Sequence, residues 1–92
     1  MIVYLNGRYI SQGSALISAF DSGFLYGDGV YETLRSYKGR VLFIDDHIKR
    51  LSENLRIIGI RVKVGLIKPA IQELLRRNKI EDAVIRVTIS RG

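Results

Sequence analysis

Residues 29–51, GVYETLRSYKGRVLFIDDHIKRL, decide how this chain folds. Over Val30 to Tyr37 the pattern has a period of two, the signature of a strand with two unlike faces. Val30, Glu32, Leu34 and Ser36 share one face, and Tyr31, Thr33, Arg35 and Tyr37 share the other. Lys38-Gly39-Arg40 reads as a hairpin turn into a second strand over Val41 to Ile44. The period then lengthens. Asp45 or Asp46 is placed to cap a helix running to about Ile58, with Ile48, Leu51, Leu55 and Ile58 on one apolar stripe. Gly59 follows as the C-terminal cap.

Outward from that stretch the same rules apply. On the N-terminal side, Ile2 to Leu5 and Arg8 to Ser11 read as strands joined by Asn6-Gly7, the residue pair that a type I′ turn favours. Gln12 to Ser14 is turn-like, and Ala15 to Ser18 is a candidate third short strand. Asp21 to Gly29 holds three glycines and two aspartates, which marks a loop with room for one helical turn at Phe24 and Leu25. On the C-terminal side a second helix fits from about Leu66 to Arg77, burying Ile67, Ile71, Leu74 and Leu75. Pro69 is tolerated only in a first turn, which fixes that start. Ala83 to Ser90 is a last strand, with Val84, Arg86, Thr88 and Ser90 alternating with Ile85, Val87 and Ile89. The expected fold is α+β, a mostly antiparallel sheet with two helices packed on one face.

Composition bounds the function. With 92 residues, 47% of them apolar and 26% charged, the chain has the makings of one small domain and not of a disordered segment. No apolar run approaches the ~20 residues of a bilayer-crossing helix, and no secretory signal opens the chain, so the expected compartment is the cytoplasm. Without cysteine there is neither a disulfide framework nor a thiolate ligand, and no metal site is expected. The charge is uneven. Residues 1–46 hold four basic and five acidic side chains, whereas 47–92 hold eleven and four, a net +7. Such a half suits an anionic ligand, a nucleic acid or an acidic partner, or is merely a solvated helical surface.

Few residues are candidates for chemistry. The Gly23 to Gly29 loop, GFLYGDG, lacks the Lys-Ser/Thr pair of a phosphate-binding P-loop and precedes a strand, which favours a tight structural turn. Arg50 is either a surface arginine paired with Asp46 one turn back, or a guanidinium fork for a phosphate. His47 stands without a second histidine and reads as a hydrogen-bonded structural residue. Arg86, in the middle of a strand, points to solvent or lines a cavity for an anion, and periodicity favours solvent.

Taken together, DSGFLYGDGVYETLRSYKGR, the DHIKRL helix and VIRVTISRG resemble, over nearly the whole chain, the N-terminal domain of class IV aminotransferases. These are pyridoxal 5′-phosphate enzymes of fold type IV: branched-chain amino acid aminotransferases, D-amino acid aminotransferases and aminodeoxychorismate lyases. The resemblance implies roles by position. Arg50, in its His-x-x-Arg-Leu pattern, matches the arginine that binds the cofactor phosphate. Tyr31 matches the aromatic residue beside the substrate pocket, and Arg86 a basic position facing substrate. Tyr26 matches a tyrosine that reaches the neighbouring subunit's active site, which implies a homodimer. Substrates would be an amino acid and a 2-oxo acid, with neither nucleic acid nor membrane as partner.

In that family the lysine that carries the cofactor and the acid that pairs with its ring nitrogen lie in a later domain. Lys38, Lys49, Lys63, Lys68 and Lys79 stand in the wrong contexts to replace that lysine. Residues 1–92 are therefore expected to be the small N-terminal domain alone, without a catalytic residue of their own. A branched-chain type is the leading expectation, with the lyase and the D-amino acid enzyme as alternatives in the family. Outside it stand a basic nucleic-acid-binding module and a non-catalytic interaction fragment.

Overall fold

The alternation in the long strand is realised. A computed structural model describes residues 1–92, and in it β3 (Gly29–Tyr37) buries Glu32, Leu34 and Ser36 while exposing Tyr31, Thr33, Arg35 and Tyr37. It is the centre of a three-stranded antiparallel sheet in the order β4 (Arg40–Val41), β3, β5 (Ala83–Ser90). The β3–β5 ladder runs unbroken from Gly29 opposite Ser90 to Ser36 opposite Ala83. Preceding it, β1 (Ile2–Leu5) and β2 (Arg8–Ser11) form a separate hairpin. Its turn residues Asn6 and Gly7 both have positive φ, 50° and 85°, as the Asn-Gly pair requires. The loop at 21–29 contains a short helix, α1 (Ser22–Tyr26), in the place where one turn is expected.

Two longer helices cover one face of the sheet. In α2 (Ile44–Ile58) Leu51 and Leu55 are almost fully enclosed, and Gly59 ends the helix in the left-handed region at φ 78°. There the Ile60 N–H reaches back to the Leu55 carbonyl, a Schellman-type closure. A 3₁₀ turn at Val64–Leu66 leads into α3 (Ile67–Asn78), so the helix begins one residue after the expected start with Pro69 in its first turn. Leu34 from the sheet, Leu51 and Leu55 from α2, and Ala70, Ile71 and Leu75 from α3 make up the core. Each enclosed leucine is worth about 1.5–3 kcal/mol of burial. Ala70 takes the buried position expected for Leu74, which is only half-buried. The hairpin is tied to this layer by Asn78, whose side chain accepts from Ile2 N–H and donates to Ile2 O.

Three expectations are corrected. The strand expected over Val41 to Ile44 stops at Val41, because Phe43 adopts a left-handed conformation at φ 54° and turns the chain directly into α2. For the same reason neither Asp45 nor Asp46 caps the helix; both lie inside its first turn, where their charge still complements the helix dipole. Ala15 to Ser18 is not a strand. No neighbouring strand takes up its backbone groups, and Leu16 and Ile17 lie on the surface.

Candidate functional site

The one buried charged side chain sits where β3 meets α2. Glu32 is 5% exposed, on the same face as Leu34, and points at the first two turns of the helix. His47 and Arg50, three residues apart and so on one face of α2, both reach it. Arg50 donates from Nε to Glu32 Oε2 at 2.8 Å and from Nη2 to Oε1 at 2.7 Å. His47 Nδ1 lies 2.7 Å from the same Oε1. The hydrogen bonds from Arg50 hold the Glu32 carboxyl at about 2, below its ordinary 4.5, against the opposing effect of burial and with further help from His47. Glu32 in turn raises Arg50 further above its usual range.

Only one edge of the arginine is used. Its side chain is 65% exposed, and Nη1 makes no hydrogen bond within the protein. Phe43, Asp46, His47 and Arg50 line a shallow hollow at this point. Anchored on a buried carboxylate with its Nη1–Nη2 edge open, the guanidinium is suited to a phosphate or carboxylate. The i,i−4 pair with Asp46 is not formed; Glu32 takes its place.

Tyr31 and Arg86 come together on the opposite face of the sheet. The Arg86 guanidinium stands 4.6 Å from the Tyr31 ring centroid, and its Nε donates to Thr33 Oγ1 at 3.1 Å. Both side chains are exposed, as periodicity alone suggested for Arg86. Tyr26, at the end of α1, is 80% exposed and joins neither group. The four expected site residues thus fall in three places: one on the helical side of the sheet, two on the open side, one on the loop.

The glycine-rich loop behaves as a structural turn locked against the end of β5. Asp21 caps α1 by accepting from Gly23 N–H and also accepts from the Ser90 hydroxyl at 2.9 Å. A Cβ on Gly23 would lie 2.6 Å from that of Ser90, and one on Gly29 would lie 2.5 Å from Ile89 O, so the close approach excludes larger residues. Arg91 clamps Asp28 at 2.7 Å and the end of α2 at Ile58 O.

Glu32 is the functional candidate that residue-by-residue reading passed over. Its signal was present: an acid on the face of a strand that also carries Leu34 requires a cationic partner.

Comparison with known proteins gives the chain a family. Residues 29–92 match the family model for amino-transferase class IV, and the chain belongs to that family. Aminodeoxychorismate lyase of Bacillus subtilis is 42% identical over 95 residues, covering 99% of this chain and 32% of its own. The branched-chain aminotransferase of Thermoproteus uzoniensis, solved with norvaline, superposes with a TM-score of 0.84 at 32% identity over 94% of this chain and 31% of its own. A hypothetical aminotransferase of Mycobacterium tuberculosis in its PLP-bound form gives a TM-score of 0.87 at 28% identity, covering 100% of this chain and 34% of its own. The chain spans about a third of the length of the relatives it matches.

Proposed function

We propose that these 92 residues form the N-terminal domain of a pyridoxal-phosphate-dependent transaminase, with Arg50 as an anchor for the cofactor phosphate. The observation that carries this is the held guanidinium: two of its nitrogens are fixed on buried Glu32 while its outer edge stays open beside a hollow. A phosphate ester fits that donor set, since bidentate arginine pairing suits a tetrahedral dianion. When bound, pyridoxal phosphate supplies the electron sink that labilises bonds at the amino acid's Cα.

On this reading Tyr31 and Arg86 orient the substrate from the open face of the sheet, the arginine meeting its carboxylate. Tyr26, exposed at the end of α1, extends toward the neighbouring subunit of a homodimer. The lysine that carries the cofactor lies outside residues 1–92, which by themselves are inactive; Lys68, for instance, is engaged by Asp45 at 3.0 Å. The location is cytoplasmic.

The substrate is proposed to be a branched-chain amino acid with a 2-oxo acid as acceptor. A lyase acting on aminodeoxychorismate is the second reading, favoured by the 42% identity with the Bacillus subtilis protein; a D-amino acid aminotransferase is the third. The test is turnover by the full-length protein with pyridoxal phosphate and 2-oxoglutarate, given L-leucine or D-alanine as donor. Glutamate formed from L-leucine supports the branched-chain reading. Glutamate formed only from D-alanine overturns it in favour of the D-specific enzyme, and none from either donor overturns the transaminase.

A further inference from the structure

Glu32 is the most enclosed charged group in the molecule, and economy of folding does not account for it. On the face of β3 that carries Leu34, an aliphatic side chain would fill the same space without dehydrating a carboxylate. Replacing a buried charged group by a well-packed apolar one is often neutral or stabilising. What Glu32 does achieve is geometric. It receives Arg50 by the Nε–Nη2 edge through two hydrogen bonds, which fixes the plane of the guanidinium. The second contact on Oε1, from His47, restrains the carboxylate itself. No other charged side chain reaches it. The carboxylate occupies the inner edge of the guanidinium, whereas the remaining edge of the arginine it holds is exposed to an incoming anion.

We propose that Glu32 is a positioning residue for anion recognition: it locks the Arg50 fork with the Nη1–Nη2 edge outward. A phosphate monoester then meets preformed donors instead of a mobile side chain whose freedom must be lost on binding. Glu32 never touches the ligand. This rests on Arg50 being the phosphate anchor and adds what makes it one.

The experiment measures dissociation constants of full-length protein for pyridoxal phosphate and for pyridoxal, which lacks the phosphate. Their ratio reads phosphate recognition and is unmoved by a substitution that only loosens the fold. Glu32→Gln leaves one acceptor and puts an amide N–H₂ against the guanidinium. Arg50→Lys keeps both the charge and Glu32 but cannot be held by an edge, so it carries the test even where Glu32→Gln fails to fold. Arg50→Ala removes the anchor. Glu32→Gln and Arg50→Lys should weaken pyridoxal phosphate binding about tenfold, the scale of one charged hydrogen bond, and Arg50→Ala by more than that, with pyridoxal binding changed less than about twofold in each. Wild-type ratios in Glu32→Gln and Arg50→Lys, with the ratio lost in Arg50→Ala, would overturn the positioning role and leave the anchor standing. Tighter phosphate binding in Glu32→Gln would also overturn it, by showing that the carboxylate opposes the anion. An unchanged ratio in Arg50→Ala would remove the anchor and the inference together.

Discussion

Glu32 and Tyr31 are neighbours on one strand and live in opposite surroundings. Toward the helices, Glu32 is sealed in, doubly bonded by Arg50 and restrained by His47, with Leu34 and the leucines of α2 continuing the same face. Away from them, Tyr31 is 62% exposed and shares its face with Thr33 and Arg86, held by one hydrogen bond and a ring contact. The inner face fixes geometry through burial; the outer face offers polar and aromatic groups that nothing in the chain covers. A β-strand's period of two lets nine residues serve both purposes. Substitutions on the two faces should therefore separate cleanly.

The largest effect is expected where the inner face is densest. Leu51→Ala would open a cavity between α2 and the sheet and cost about 2–5 kcal/mol, read from denaturant unfolding. In so thin a core that is enough to unfold much of the population at room temperature. A loss below 1 kcal/mol would mean that the two layers are looser than their burial indicates.

Acid should strike the inner face next. The Glu32 carboxyl is held at about 2 when folded against 4.5 ordinarily, so it binds fewer protons in the folded state. Its contribution to stability is present above pH 4.5 and is lost as the pH falls toward 2. Glu73, held low chiefly by its hydrogen bond from Arg76 and then by Arg77, acts in the same direction from the surface. The two are separated by comparing wild type with Glu32→Gln: the acid limb of the stability profile should flatten in the variant. Superimposable limbs would assign the acid sensitivity to Glu73.

The loop lock should come third. Asp21→Ala removes both the cap of α1 and the acceptor for Ser90, and is expected to cost about 1–2 kcal/mol in thermal or denaturant unfolding. Smallest of all is Arg86→Ala, on the open face, at under about 0.5 kcal/mol for an exposed cation–π contact and a solvent-facing hydrogen bond. In the full-length protein the same substitution should raise the KM for an amino acid substrate far more than it lowers the melting temperature. A stability loss as large as that of Asp21→Ala would place Arg86 among structural residues and break the contrast between the faces.

Much of this was legible from the chain because it is local. The alternation at 30–37, the Asn6-Gly7 turn, the stripe of α2 and its Gly59 stop all follow from neighbours within a few residues. Phe43 was not legible: a left-handed phenylalanine is costly in isolation, so its residue type argues against the conformation it adopts. Ala15 to Ser18 looked like a strand because apolar content does not reveal whether a partner edge exists. At the site, Arg50 was readable as a fork, yet its partner lies 18 residues away across the sheet–helix interface. Helical spacing pointed to Asp46 instead. Residue types identify what a side chain can do, and tertiary packing decides which of its options it takes.

The anchoring role of Arg50 is tested most directly by cofactor retention. Full-length wild type and Arg50→Ala, both loaded with pyridoxal phosphate, are dialysed side by side and followed by cofactor absorbance and by the ³¹P resonance of the bound phosphate. The wild type should keep its cofactor with a phosphate resonance displaced from that of free pyridoxal phosphate, while Arg50→Ala loses most of it and also melts at a lower temperature, because the buried Glu32 carboxylate is left without its main cation. Equal retention with the same ³¹P resonance in both proteins would contradict the account and leave Arg50 only as the structural partner of Glu32.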